Sequence, residues 1–476
     1  MSEDLFREAL SLFQDESYDD CVKILSTIVD LGSEDERAVS YLIDSFLRLG
    51  DIQKAINAIR LGMNFTSCST EFYFKSAKVL KRHGLYTEAL QCFEKASNFQ
   101  PNSPECVEGK ASTLYALGQI EKALFEYEKL FRLRPNDLNL LNNIGVLYSK
   151  IGDNLKAKEY FDRCLERDRG NGTARYNLSC LLNKEVPQWH VGMLKDLARN
   201  DAYNKALNTV VKKGDLVLEI GSGSGLLSMM ASDSGAKHVY SCEKSSIIAK
   251  SAEKIIKKNG YNDKITIINK NSKDLLIGED LPDKADVIVS EILSSEFAGE
   301  GVFEAINDAS SRLLKPNGRT IPESGELMIC LFEKSGDLLD ELLIDGFCKY
   351  DLSDFNDVIS SRRYLQHRAD MSFLSNPFSA NRFDFVRGML RSTGTRLLNI
   401  DIQRSGECMG IAQWMRLNLA EGVSFENSPG SDSHWRIICY LFPRSIYVKA
   451  GDILPIQMTV LEDAIWFQAN FSSVNQ

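Results

Sequence analysis

Glycines stand at Gly50, Gly84, Gly118 and Gly152, each 34 residues after the one before. Five residues beyond each comes an alanine (Ala55, Ala89, Ala123, Ala157), and four further on a bulky residue (Ile59, Phe93, Tyr127, Phe161). Pro101 and Pro135 close two of the units. The physical reading is a stack of helical hairpins. Glycine breaks the chain between two helices, the small residue lets them approach, the bulky one fills the groove to the next unit, and proline ends the second helix. One register earlier Tyr18 and Cys21 fit weakly, without the glycine. The spacing therefore predicts about four and a half units over residues 2–170, with residues 173–183 as a capping helix.

This pattern resembles the tetratricopeptide repeat, which implies an all-α solenoid over residues 1–183 with a protein or peptide partner in its groove. At 476 residues the chain exceeds that solenoid, and domains of roughly 150 residues leave room for two more. Hydrophobic residues at 43% and charged residues at 26% are globular composition. Lys+Arg 56 against Asp+Glu 66 gives a net charge of −10, so no direct nucleic-acid binding is expected. Eleven cysteines lie scattered from Cys21 to Cys439 with no C-x-x-C. That suits reduced thiols in cytoplasm or nucleus rather than a disulfide scaffold or zinc site. The five histidines never pair at helical metal-ligand spacing, and no metal is expected. The start, MSEDLFREALSLF, is acidic and not a signal peptide, and no apolar run nears the roughly 20 residues that span a bilayer.

Composition changes at Lys184-Glu185-Val186-Pro187, where helical periodicity gives way to β-branched runs alternating with helices. The stretches 215–220, 238–242, 265–269 and 285–290 predict parallel strands of an α/β doubly wound domain over residues 184–322. From about Glu326 short strands follow, such as 326–332, 436–442 and 454–460, which predict a β-barrel-like domain over residues 323–476.

Glu219-Ile220-Gly221-Ser222-Gly223-Ser224-Gly225 places a glycine loop directly after a strand and before a helix. Backbone can then approach a ligand closely, with the helix N-terminus facing it. Glu243 ends the second strand, where a carboxylate can hold both ribose hydroxyls. A nicotinamide dinucleotide and S-adenosylmethionine both fit. The third glycine comes one residue early for G-x-G-x-x-G, and Glu219 two before the first glycine favours S-adenosylmethionine. A nucleophile elbow is excluded because Gly223 stands where serine is needed, and no P-loop Gly-Lys-Ser/Thr occurs.

The fourth strand runs into Ser290-Glu291-Ile292-Leu293-Ser294-Ser295-Glu296-Phe297-Ala298-Gly299-Glu300 at the carboxyl edge of the sheet, where substrates bind. Two carboxylates nine residues apart on one loop can fold toward each other and match a guanidinium, which offers five N–H donors in a fixed plane. Such a group stays protonated at neutral pH and is a poor nucleophile. Carboxylates on two sides fix its plane, stabilise its charge and aim one nitrogen. Taken singly, these glutamates read as solvated charges, His434 as a satisfied barrel histidine, Met193 as a core methionine and Arg199 as a surface ion pair.

Together the motifs carry more. Met193-Leu194-Lys195-Asp196 with Arg199 and Tyr203, VLEIGSGSGLLSMMA, Glu243, SEILSSEFAGEG and Ser433-His434-Trp435 appear in that order. Over about 290 residues the sequence resembles the protein arginine methyltransferase family. The resemblance implies transfer of methyl from S-adenosylmethionine to arginine in proteins with accessible arginines. It places Arg199 on the cofactor's methionine carboxylate and Met193 beside its sulfur. Gly221 and Gly223 would face the methionine and ribose, with Glu219 beside them, and Glu243 the ribose hydroxyls. Ser272 and Lys273 would flank the adenine, although the family's usual acid is here Lys273. Glu291 and Glu300 would clamp the arginine, with His434 and Asp196 as an acid–base pair nearby. Trp435 would wall the channel, and Glu296 would be a third acid beside it.

Within the family, the tetratricopeptide front resembles the ninth member and the body the seventh, in LLSMMA, KKNGYNDKITIINKNS and HWRIICYLFP. Ser294 departs from the seventh member's aspartate, and Leu293-Ser294 breaks the asymmetric type's Met-containing loop. The expected products are monomethyl and symmetric dimethyl arginine. Both members usually carry a second, degenerate module, and this chain ends without one. An insert over about 346–395, expected to be a helical arm, would then pack on a second copy as a homodimer. Two alternatives stand beside this reading: a repeat scaffold with weak or no catalysis, and a methyltransferase of a non-arginine substrate.

Overall fold

The computed structural model describes residues 2–66, 68–297, 301–333, 342–365, 371–386, 393–461 and 464–469. They divide into two units, Met1–Leu182 and Asn183–Gln476. No helix among the described residues is long and apolar enough to cross a membrane.

The first unit is built from helix pairs: Ser2–Gln14 with Tyr18–Asp30, Glu36–Arg48 with Ile52–Met63, Thr70–Arg82 with Tyr86–Phe99, Pro104–Ala116 with Ile120–Leu133, and Leu138–Lys150 with Asn154–Arg167. A single helix, Gly172–Glu185, follows. Side-chain oxygens of Asp35, Asp51, Ser69, Ser103, Asp137 and Asp153 accept from backbone N–H groups in the first turns, which fixes where those helices start. Ala55, Ala89, Ala123 and Ala157 are fully buried, with Ile59, Phe93, Tyr127 and Phe161 in the seams beside them. The fit is tight: a Cβ on Gly109 would stand 2.2 Å from the Phe93 ring, and one on Gly145 2.6 Å from that of Phe161.

The register glycines serve conformation, not space. Gly50, Gly84, Gly118 and Gly152 have φ of 77°, 78°, 72° and 86°, and a Cβ on any of them would meet nothing within 4 Å. Glycine is free to adopt this left-handed backbone. The first pair completes the same register with Glu16, at φ 57°. Sequence reading counted that pair as half a unit because the glycine is missing; the backbone makes the turn regardless.

In the second unit a five-stranded parallel sheet runs in the order β3-β2-β1-β4-β5. Its strands are β1 (Leu216–Ile220), β2 (His238–Cys242), β3 (Ile265–Ile268), β4 (Ala285–Ser290) and β5 (Leu314–Ile321). The first four lie where their β-branched runs predict. The sequence missed β5 because Lys315-Pro316-Asn317-Gly318 reads as a turn; a register shift between Ala285 and Val287 absorbs it, and Arg319, Thr320 and Ile321 pair with β4.

The rest is antiparallel: β6 (Ser324–Glu333), β7 (Gly346–Phe347), β8 (Tyr350–Asp351), β9 (Arg362–Leu365), β10 (Phe378–Asp384), β11 (Gly394–Asp401), β12 (Gly406–Ala420), β13 (Val423–Glu426), β14 (Ile437–Val448), β15 (Ile453–Val460) and β16 (Ile465–Ala469). One sheet runs β10-β6-β12-β14-β9 with β13 on β12, and a second runs β11-β15-β16. Within the expected arm, the described residues hold the β7–β8 hairpin, a 3-10 stretch Ser353–Val358 and the edge strands β9 and β10, but no α-helix. One apolar core runs without a break from Tyr203, Val217 and Val289 to Leu327, Ile411, Trp435 and Phe467, so the parallel and antiparallel parts share it.

Replacing a strained left-handed residue by glycine removes roughly 1 kcal/mol of backbone cost. Glu16→Gly is expected to stabilise the first hairpin by about that much, raising amide-exchange protection across Ser2–Asp30. Unchanged protection there would show that Glu16 bears no strain.

Candidate functional site

The glycine loop leaves β1 and enters helix Leu226–Asp233. Gly221, Gly223 and Gly225 all have positive φ, at 82°, 51° and 78°, a left-handed backbone that glycine adopts freely and that lets the loop itself lie close to a ligand. Gly221 and Ser222 donate to the Cys242 carbonyl at 3.0 and 3.1 Å. At the end of β2 the buried Glu243 carboxylate accepts from the Gly223 N–H at 3.2 Å and the Ser245 N–H at 3.0 Å. Strand end and loop are thus one hydrogen-bonded piece.

Glu219 lies buried within β1, where its Oε2 accepts from Ser228 Oγ and, at 2.8 Å, from Ser241 Oγ; Ser241 in turn meets Ser222 Oγ at 2.5 Å. Burial pushes this carboxyl up to about 7, against the lowering pull of the two hydroxyls and Arg199. It ties the loop to its helix and to β2. Ser228 and Ser241 had no sequence signal, since only the fold brings them onto Glu219.

Beside the loop sits a charged cluster. Arg199, 3% exposed, pairs through Nη2 with Glu291 Oε2 at 2.6 Å and donates from Nη1 to Asn200 Oδ1 at 2.7 Å. Its guanidinium carbon stands 5.0 Å from the Tyr203 ring centre, and Tyr203 OH donates to the Ser290 carbonyl at 3.1 Å. Burial raises the Glu291 carboxyl above its ordinary range, although the Arg199 charge opposes it. Arg199 and Glu291, expected on cofactor and substrate respectively, here hold each other. Arg199 Nε is buried and without a hydrogen-bond partner among the described residues, and a buried guanidinium N–H left this way calls for an acceptor. Met193, also buried, brings its Cε within 4.0 Å of the Cβ position of Gly223.

Asp196 joins this cluster to the antiparallel part. Its Oδ1 caps helix Leu197–Val210 by accepting from the Arg199 N–H at 2.9 Å. Its Oδ2 accepts from His434 Nδ1 at 2.9 Å, the His434 N–H at 3.1 Å and Ser433 Oγ at 3.2 Å. Burial works against ionisation, yet the hydrogen bonds from His434 and the two backbone N–H groups prevail and hold the carboxyl below its ordinary range. The Asp196–His434 pairing expected from the sequence is present.

The acidic loop leaves β4 across the glycine loop: a Cβ on Gly221 would stand 2.6 Å from Ile292 Cγ2. Two bonds latch it to the His434 segment, from Trp435 Nε1 to the Leu293 carbonyl and from the Arg436 N–H to Ser295 Oγ, both at 3.0 Å. Trp435 is buried, so it holds the loop's backbone. Phe297, fully buried at φ 65°, stacks on Phe383 at 4.6 Å and on Phe385 at 6.2 Å. Glu296 is occupied by Arg362 at 3.0 Å and by Tyr364 OH. Glu300 lies outside the described residues. Ser272 is buried in a 3-10 turn, and Lys273 pairs with Glu304 at 2.6 Å. Phe297, Ser295 and Arg362 were not singled out by sequence as supports, because their partners are distant along the chain.

The arrangement offers a glycine loop in front of a helix, a buried cation with one N–H unmet among the described residues, and a buried carboxylate next to both. Donor set and loop fit S-adenosylmethionine, whose carboxylate would meet Arg199 and whose ribose would meet Glu243.

A family model described as ribosomal protein L11 methyltransferase (PrmA) matches residues 204–328, and a tetratricopeptide repeat model matches 108–137 and 138–171. The chain is 34% identical over 283 residues to an arginine N(omega)-methyltransferase of Streptomyces achromogenes subsp. streptozoticus, covering 58% of this chain and 77% of that protein. It is 26% identical over 387 residues to protein arginine N-methyltransferase 9 of Xenopus laevis, covering 73% of this chain and 47% of the relative, so it spans about half that protein's length. Among solved structures, the Trypanosoma brucei PRMT1 enzyme–prozyme heterotetrameric complex with AdoHcy aligns at TM-score 0.54 and 22% identity, over 62% of this chain and 96% of that one. At that identity the likeness is one of fold.

Glu219 allows a test of loop electrostatics. Its folded pKa, about 7, exceeds the unfolded value of 4.5. The folded state therefore holds the proton longer, and stability falls as pH rises from the unfolded value to the folded one. Glu219→Gln keeps acceptors for Ser228 and Ser241 but cannot titrate. Melting between pH 5 and 8 is expected to show wild type losing about 3 kcal/mol relative to the variant as pH rises. Parallel pH profiles would mean that Glu219 is ionised throughout.

Proposed function

The chain belongs to the arginine N-methyltransferase family, and from that premise we propose that it transfers methyl from S-adenosylmethionine to a guanidinium nitrogen of arginine in proteins. The observation that carries this reading is the buried Arg199–Glu291 pair beside the glycine loop, with Arg199 Nε unmet. In this reading Arg199 serves the cofactor and Glu291 the substrate.

The bound cofactor supplies an electrophilic methyl group on sulfonium. When bound, the cofactor would be held at its methionine end by Arg199 and the glycine loop near Met193, with Glu243 toward its ribose hydroxyls and Ser272 and Lys273 toward its adenine. Glu291, held at Oε2 by Arg199, offers its other oxygen to the substrate guanidinium, and Glu300 is the proposed second carboxylate of the clamp. Together they fix its plane and aim one nitrogen at the methyl group. As the nitrogen–methyl bond forms, the methyl–sulfur bond would break with its electron pair going to sulfur, and the nitrogen would lose a proton. Burial raises the Glu291 carboxyl, which suits it to accept that proton, while Asp196 holds His434 at Nδ1 as the second acid–base contact. Trp435 and Glu296 shape the entrance through their hold on the loop. Monomethyl and symmetric dimethyl arginine are the proposed products, and the repeats take a protein or peptide partner.

A second reading, transfer to free arginine, is favoured by the Streptomyces relative, whose name specifies arginine and not protein arginine. Radiolabel transfer from S-adenosylmethionine to an arginine-rich protein and to free arginine, with amino-acid analysis of the product, separates the two. Glu300→Gln is expected to lower kcat by about 100- to 1,000-fold, on the scale of lost preorganised charge stabilisation, with cofactor affinity unchanged. Near-wild-type turnover would remove Glu300 from the clamp.

We also propose a homodimer. In the expected arm, Phe347, Tyr350, Phe355 and Val358 are 72%, 60%, 58% and 76% exposed, an apolar run that a two-fold contact would cover. Sedimentation is expected to give a dimer at micromolar concentration, reduced to monomer by Phe347→Ser with Phe355→Ser. An active wild-type monomer would overturn this.

A further inference from the structure

The helical unit carries a surface that the catalytic reading does not use. Its first helices face one another in succession, and side chains bond between them. Lys75 pairs with Asp44, Lys81 Nζ donates to Ser112 Oγ at 2.5 Å, and Asn177 Nδ2 donates to Asn142 Oδ1 at 2.9 Å. These contacts mark one continuous face across helices Glu36–Arg48, Thr70–Arg82, Pro104–Ala116, Leu138–Lys150 and Gly172–Glu185.

That face is cationic in the middle of a chain whose net charge is −10. Helix Thr70–Arg82 presents Lys75, Lys78 and Lys81 and ends on Arg82. Of the lysines, only Lys75 is in a salt bridge among the described residues. Lys78 lies 5.3 Å from the centre of the Phe74 ring. Lys81 is half-buried against a hydroxyl, and burial pulls its pKa down. The acid that acts on it, Glu108, is already paired with Arg134 at 2.9 Å, and Glu105 with the same Arg134 at 2.7 Å. Next along the face is Tyr115, 40% exposed, with Lys150 at 5.7 Å from its ring centre. Exposed cations beside aromatic rings, Lys78 and Lys150, together with the half-buried Lys81, suit carboxylates carried on an extended chain. An arginine-rich segment would be repelled.

We propose that this face binds an acidic peptide segment of a partner protein, with Lys78 and Lys81 as its principal carboxylate contacts. The repeats then select a partner of opposite charge to the arginine-rich sequences that the catalytic unit takes. A protein presenting both an acidic stretch and accessible arginines would engage both units.

The test is fluorescence anisotropy of a labelled poly-glutamate peptide against the full chain, with a poly-glutamine peptide of equal length and single-stranded poly-uridylate as comparisons. The poly-glutamate peptide is expected to bind with an affinity that falls as salt is raised. Lys78→Gln with Lys81→Gln should weaken binding by about tenfold, the scale of two partly exposed ion pairs. Equal binding of poly-glutamine, or an unchanged affinity in the double variant, would overturn the proposal. Tighter binding of poly-uridylate through the same lysines would overturn it in favour of a nucleic-acid face. Circular dichroism checks that the variant is folded, with Lys78→Gln alone as a milder second variant. No methyl transfer enters this readout, so its outcome and that of the catalytic reading are independent.

Discussion

Arg199 and Glu291 are opposite charges shut away from water 2.6 Å apart, and the catalytic unit is arranged around keeping them there. Desolvating such a pair is expensive, and removing one partner typically costs about 3–5 kcal/mol because the other charge is stranded. Asn200 shares the Arg199 donors, Tyr203 places its ring beside the guanidinium, and the Tyr203 hydroxyl binds the last carbonyl of β4. Each of those supports comes from helix Leu197–Val210, so the helix reads as a bracket that delivers a cation to the sheet edge. A hydrophobic pair would be cheaper to bury but could not hand a charge to a ligand.

Asp196 extends the same logic outward. One carboxylate starts the bracket helix with Oδ1 and holds the Ser433-His434 segment with Oδ2. Parallel and antiparallel parts therefore meet on a charged hydrogen-bond junction as well as on their common core. A displacement of the His434 segment would reach the helix cap, and through it Arg199.

Much of this was legible in the sequence, and for identifiable reasons. Four strands announced themselves because buried parallel strands are nearly continuous β-branched runs, and the glycine register because a left-handed turn recurs at constant spacing. The Asp196–His434 pairing was readable through family motifs. What escaped is of two kinds. β5 and Glu16 break local rules, a turn-like Pro-Asn-Gly inside a strand and a glutamate at a glycine position; tertiary pairing and helix packing override them. Ser228, Ser241 and Ser295 obey local rules but draw their meaning from partners that only the fold supplies, and Phe297, left-handed at φ 65°, is held there by rings far along the chain. The Arg199–Glu291 contact belongs with these: the motifs assigned its two residues to different ligands, and the structure places them on each other.

Phe297 has one more consequence. Its ring is clasped between Phe383, Phe385 and Gly325, where a Cβ would come within 2.3 Å of it. At the other end, the loop begins on β4, held by Tyr203. Between these two fixed points the chain has only residues 291–296. A deleted residue would either drag the ring from its clasp or lift Glu291 off Arg199, and an inserted one would have to bulge out between them. Side-chain exchange at 292–296 leaves both anchors in place, whereas a shorter span does not.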